Sequence, residues 1–376
     1  MTFAHTRKTF FPPEPLPAAR PKVRHKRFAR IRLSSFKGVF AHIFLSAAAT
    51  LGGCRLPEPP VSKEEALALA HRVEHSVAKH DSTILNRIFD EKALSQRVSD
   101  ASSMFMNHNL IAGAVKGVAQ GGLGSKVVRA IGDEGTYQLI KQYEKDGLQH
   151  ILFRLYGNEG VNYHDFELVK RDEGIKAADL YIYTTGENIS KTLADALKRL
   201  NSNGTNKDLK KTDNIKQLIE QGEYEQANTV YETLPAELKK EKAFQLMHIR
   251  IFSHFSTDRY IGALREYKSL FPHDPNMYLL MVDAYSLQKD YPKALESVNK
   301  LDSLIDKDPF QDYERGLIYK MMKDTVNELI CFERLHKNMP EFKKGTYELI
   351  NLYFSMAEPV KGAALIKEMN DTATAK

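Results

Sequence analysis

Hydrophobic and polar positions change their period along the chain. Ala66, Ala70, Val73 and Val77 recur at helical spacing, and Ser62 with Glu64 and Glu65 behind it supplies a capping side chain and first-turn acids. An amphipathic helix is therefore predicted over 62–80. A second helical stretch runs through Leu85, Ile88, Phe89 and Leu94, and the Gly-, Ala- and Val-rich residues 101–131 predict close-packed helices with small residues at a contact. The pattern then alternates. Ile151, Phe153 and Leu155 are followed by a turn at Gly157–Gly160, and Asn162, His164, Phe166 and Leu168 form one face of a second strand. After a turn at Arg171–Gly174, Ala178, Leu180 and Ile182 face one way while Asp179, Tyr181 and Tyr183 face the other. Such short connections predict an antiparallel three-strand meander, closed by a helix around 187–200 with Thr192, Leu193, Ala196 and Leu197 on one side.

A polar stretch beginning at Asn201 predicts a linker over 201–211. Beyond it the chain repeats itself, with Tyr285, Tyr319 and Tyr353 at intervals of 34 residues. Ala227, Ala263, Ala294 and Gly362 supply a small residue where two helices cross closely, with Glu328 the exception. Four positions later Tyr231, Tyr267, Phe332 and Ile366 fill the space between helices, and Val298 is a smaller substitute. Gly316 stands three residues before Tyr319, Tyr224, Tyr260 and Tyr291 open second helices, and Pro275 and Pro340 end units. Pro309 is displaced by three residues. Over 212–376 this resembles the tetratricopeptide repeat in four or five divergent units. The resemblance implies a superhelix of helix pairs whose concave wall holds a protein or peptide partner. The first helix leading into Asp81, Leu85 and Phe89 resembles the nuclear-transport-factor-two-like fold. The expected fold is mainly α, with a small α+β domain at 62–200 carrying the meander and an α-solenoid of tetratricopeptide-like helix pairs at 212–376.

Charge changes the picture at the amino end. The 376 residues carry a formal charge of +6, yet residues 1–53 hold ten basic side chains against the single acid Glu14. Residues 54–376 hold 44 basic and 47 acidic side chains, so the basic balance is no argument for nucleic acid. Residues 38–53 contain no Asp, Glu, Lys or Arg and run into Cys54. Basic, apolar, then small residues is the order of a secretory signal, expected at 1–53. Leu51-Gly52-Gly53-Cys54 resembles a bacterial lipobox, which implies cleavage before Cys54, acylation of its sulfur, and a membrane anchor followed by a proline-stiffened tether at 54–61. The layout is similar to the tetratricopeptide-repeat lipoproteins of Gram-negative bacteria, especially the Bacteroidetes type. That likeness implies a non-catalytic protein of the cell envelope, on the periplasmic or outer-membrane face.

Candidate chemistry is sparse. Two cysteines exclude a disulfide framework and a thiolate metal cluster, and Cys331 beside Phe332 is expected to be a buried thiol. His71-Arg72-Val73-Glu74-His75 has the order of an inverted zinc-protease motif, which His108, His150 or His164 would have to complete; a solvated helix flank is the favoured explanation, and no cofactor is expected. Gly121-Gly122-Leu123-Gly124-Ser125-Lys126 has Ser before Lys, the wrong order for a phosphate loop. Tyr163-His164-Asp165, beside Tyr181 and Tyr183, is the alternative: a ligand-binding or hydrolytic pocket on the α+β domain, weighed against ordinary packing of a sheet face.

Overall fold

The computed structural model describes residues 60–102, 107–157, 160–201, 206–272 and 274–374. These residues fall in one compact unit. Helix α1 (Lys63–Ala78) starts on a capping box, in which Ser62 Oγ accepts from Glu65 N at 3.2 Å and Glu65 accepts from Ser62 N at 2.9 Å. It buries Ala66, Leu69, Ala70, Val73 and Val77. The second predicted helical stretch is two pieces, α2 (Thr83–Asn86) and α3 (Glu91–Ala101), because Phe89 leaves the helix to bridge Ala177. Next come α4 (His108–Ala119) and α5 (Leu123–Ile131). The small residues there divide by role. A Cβ on Gly124 would run into the Ser82 carbonyl oxygen, a true close approach, whereas Gly113 and Gly117 have nothing within 4 Å, so the expected small-residue contact fails at those two positions.

The sheet has five strands in sequence order, all antiparallel: β1 (Thr136–Lys145), β2 (Leu148–Gly157), β3 (Gly160–Arg171), β4 (Gly174–Ile182) and β5 (Glu187–Asn188). Alternation marks three of them. β1 is hidden by a bulge between Leu139 and Lys141, which breaks its period, and β5 is two residues long. A second bulge, at Glu167/Leu168, places Ala177 rather than Ala178 opposite Leu168 on the inner face. That face buries Tyr137, Ile151, Phe153, Phe166, Leu168 and Leu180 against α1–α5 and α6 (Ile189–Asn201).

The remaining chain is helical. α7 (Asn206–Glu220) already occupies residues 206–211 of the expected linker, while 202–205 lie outside the described residues. α7 pairs with α8 (Tyr224–Glu232), and after α9 (Ala236–Lys239), α10 (Lys242–Phe252) pairs with α11 (Thr257–Leu270). The third first helix is broken into α12 (Met277–Leu280) and α13 (Val282–Leu287) and pairs with α14 (Tyr291–Leu304). α15 (Gln311–Met322) with α16 (Thr325–Asn338), and α17 (Lys343–Ser355) with α18 (Pro359–Thr374), complete a solenoid of helix hairpins.

The repeat-signature residues sit at the hairpin crossings. Ala227, Ala263 and Ala294 are buried, as are Tyr231, Tyr267, Val298 and Phe332. A Cβ on Gly316 would lie 2.6 Å from the Phe332 ring, so the glycine of α15 makes room for the aromatic of α16. Tyr285 and Tyr353 are buried and Tyr319 half-buried, whereas Pro340 is exposed. Gly362 faces the Phe354 ring, and Ile366, on the outer side of the last helix, is exposed. Glu328, where the pattern wants a small residue, is buried, and desolvation raises its carboxyl above the usual range.

Candidate functional site on the outer face of the sheet

The outer face has two halves. Near the β2–β3 connection, Leu152, Tyr156, Val161 and Tyr163 share one apolar cluster with Phe310, Tyr313, Phe332 and Phe342 of the repeats. Arg154, 2% exposed, stands among them and pairs with the equally buried Asp308, just before α15. Tyr163 Oη donates to Asp308 Oδ2 at 2.8 Å and accepts from Gln311 Nε2 at 2.7 Å. The seam extends along the N-terminal ends of the first helices: Arg199 reaches Glu241, Lys242 lies 3.4 Å from Glu187, Asn276 Nδ2 donates to Thr184 O at 3.3 Å, and Gln138 donates to Glu341. A charge in the middle of the apolar run Ile151–Tyr156 needs a buried partner, and the repeats supply it.

The other half stays open. Antiparallel pairing aligns Tyr143, His150, Glu167 and Asp179 in one row across β1–β4, and Asp165 with Tyr181 and Asn188 in the next. These residues line a cavity of about 440 Å³, closed on the repeat side by Pro275 and Leu304. Asp165 is its centre. It accepts from the Tyr143 hydroxyl and lies 3.2 Å from His150 Nδ1, and the Tyr143 and His150 rings stack at 5.0 Å. Tyr181 and Tyr183 meet edge to face at 5.1 Å. Arg97 Nε donates to Glu167 at 2.8 Å, and Asp179 accepts from Leu180 N, Ser190 N and Ser190 Oγ while burial raises its carboxyl above the usual range. Burial pushes the Tyr181 phenol up to about 12, with Asp274, Glu187 and Asp165 adding to it; Tyr143 and Tyr183 rise for the same reason, with Asp165 the next cause.

Asp165, Tyr181 and Tyr183, which the sequence offers as a pocket only as the alternative to ordinary packing, line this cavity. Tyr163 belongs to the seam. His164 turns to the inner face, where Tyr137 Oη lies 3.1 Å from Nδ1. Asn162 Oδ1 accepts from Tyr163 N and Thr184 N, so its Nδ2 faces His164 Nε2 at 3.3 Å and the ring proton sits on Nδ1. Tyr143 and Glu167 carry no sequence signal of their own, Asp179 is marked only by sharing a strand face with Tyr181 and Tyr183, and His150 stands out only as a metal ligand to complete the His71–His75 motif. Cross-strand register is what gathers them.

His71 and His75 are exposed, His71 lying 3.4 Å from Glu74, and Glu74 Oε1 accepts from Leu139 N at 3.0 Å beside the β1 bulge. The Glu74 carboxylate thus pins a strand. Among the described residues no group of three His, Cys, Asp or Glu side chains is arranged to hold a metal ion. Cys331 is buried, its thiol pushed up to about 11 by desolvation. A second cleft, of about 590 Å³, runs between α6 and α10, and its charges are largely internally paired, Lys191 with Asp195, Arg199 with Glu241 and Lys242 with Asp274. Cys54 and the leader lie outside the described residues, within which no helix is long and apolar enough to cross a membrane.

No protein-family model matches the chain, and no curated protein does. Among solved structures, residues 41 to the end of MamA from Desulfovibrio magneticus RS-1 align with a TM-score of 0.39 at 14% identity, covering 46% of this chain and 98% of that one. MamA of AMB-1 aligns with a TM-score of 0.35 at 14% identity, over 44% of this chain and 98% of that one. The solenoid stands on its own helix hairpins and their packing, not on these likenesses.

Proposed function

We propose that this chain is a non-catalytic lipoprotein of the Gram-negative cell envelope, held to a membrane through acylated Cys54, whose helical repeats dock a protein partner. The observation that carries the docking role is the distribution of uncovered apolar side chains. Of the twelve large hydrophobic residues exposed among the described residues, eight lie between Met321 and Ile366. Val326 and Ile330 lie on α16, Tyr347 and Phe354 on α17, Val360 and Ile366 on α18, with Tyr347 53% and Val360 82% exposed. Apolar residues concentrated at one end of a solenoid are what a partner covers. The amino-terminal ends of the first helices are already taken by the sheet, so the partner engages the carboxy-terminal hairpins.

The anchor rests on the basic, apolar, small-residue order that ends at Cys54. Cross-linking in the native envelope tests the docking role: wild type should capture a defined protein that the double variant Tyr347→Ala/Phe354→Ala loses, and equal capture by both would refute it. Labelled fatty acid should enter wild type and not Cys54→Ser. Equal labelling, or none in either, would remove the anchor.

A further inference from the structure

The open half of the outer face does something the docking role does not use. We propose that it is a binding site for an organic cation, an alkylammonium group seated against Tyr181 and Tyr183 and facing the Asp165 carboxylate; Tyr143, whose ring carries the Lys141 ammonium at 4.7 Å and stacks on His150, holds Asp165 in place. Aromatic rings attract a cation through the negative potential of their faces, and a quaternary ammonium, less hydrated than a lysine ammonium, loses the less of the two on leaving water. Tyr181 at the end of β4 and Tyr183 in the turn after it stand together at this half of the sheet, edge to face with each other. The cavity volume, about 440 Å³, suits a small molecule or the end of a long side chain.

The field has the matching sign. Asp146, Asp165, Glu167 and Asp179 line the cavity against Lys145 and His150, with the Lys141 ammonium beside Tyr143, and among the described residues only Glu167 of these four is paired with a cation from outside the lining, Arg97. An anion would meet this field unfavourably, and a neutral ligand would gain nothing from it. Asp165 is fixed before any ligand arrives, because Tyr143 Oη and His150 hold its two oxygens. Such a preset carboxylate loses little freedom on binding.

The test uses the full chain and calorimetric titration with three probes. Choline stands for a free quaternary ammonium compound, and Nα-acetyl-lysine methylamide for a lysine side chain presented by a polypeptide. 3,3-Dimethylbutan-1-ol has the shape of choline without its charge. At least one cation should bind saturably and about tenfold or more tighter than the neutral alcohol, and whichever cation binds tighter names the source. Tyr181→Leu, which keeps an apolar side chain and removes the π face, should weaken that binding about tenfold. Asp146→Asn, at a turn position that asparagine tolerates, removes a rim charge without touching the packed sheet and should weaken it about two- to threefold at low salt and not at high salt. Equal binding of the alcohol, or no saturable binding of any probe, overturns the proposal. Because the site lies apart from Tyr347 and Phe354, the double variant used to test docking should bind the cation as wild type does.

Discussion

The two faces of the one sheet solve burial differently. The inner face is covered by α1–α6 with alternating apolar side chains, and its buried polar group is His164, held neutral between Tyr137 and Asn162. The outer face is covered by helices of the repeats, hydrogen-bonded to the sheet across separations of 56 to 203 residues, and half of that cover turns on an ion pair, Arg154 with Asp308. A face folded against its own neighbours relies on apolar area. A face that must find a distant element relies on a directional contact as well, which fixes where the repeats sit but is unforgiving if one partner is lost.

The largest effect should come from breaking that pair. Arg154→Met leaves Asp308 buried with Tyr163 and the Phe310 amide but no cation, and is expected to lower stability by about 3–5 kcal/mol. The double variant Arg154→Met/Asp308→Leu removes the orphaned charge and should recover most of the loss. Denaturant midpoints decide it: if the double variant is as unstable as the sum of the single ones, the pair is not the hinge of the outer face.

Acid should act on the inner face through one buried imidazole. Burial lowers the His164 imidazole from 6.5 to about 4, so the unfolded chain binds this proton more readily between those values. His164 therefore contributes its stability in full above pH 6.5 and loses it as pH falls toward 4, by about 3 kcal/mol over that window. His164→Gln, whose amide oxygen can still accept from Asn162, should flatten this part of the stability profile. An unchanged slope between pH 6.5 and 4 would show that the ring does not titrate against burial.

The difference between the faces also explains what the sequence could show. Ile151, Phe153, Phe166 and Leu180 alternate because they bury one side, and the 34-residue tyrosine spacing is visible because each hairpin repeats one crossing. β1 is invisible because both of its faces are covered, Leu139 and Ile140 being adjacent apolar residues of opposite cores, and because the bulge beyond Leu139 then shifts the period. The cavity is half legible. Asp165, Tyr181 and Tyr183 stand in or beside strands that the pattern locates, but Tyr143 lies on the hidden strand and Pro275 on another part of the fold. Arg154 is a readable anomaly, a charge in an apolar run, yet nothing local names Asp308, 154 residues on.

Smaller changes sharpen the comparison through the elements that support each face. The outer face rests on α15, whose amino end carries Gln311 and follows Asp308, and whose seat on α16 depends on Gly316. Gly316→Ala would place a methyl 2.6 Å from the Phe332 ring, which is fully buried and has little room to move, so a loss of about 1–3 kcal/mol is expected. The inner face offers the opposite case. Gly113 is exposed within α4 and a Cβ there meets nothing within 4 Å, so Gly113→Ala removes only the entropic penalty of glycine in a helix and should raise stability by about 1 kcal/mol. Thermal unfolding of the two variants side by side separates a glycine kept for space from one that the fold does not require. If Gly113→Ala instead destabilises, α4 packs against something its exposed side does not reveal, and the inner layer of helices is not closed at that surface.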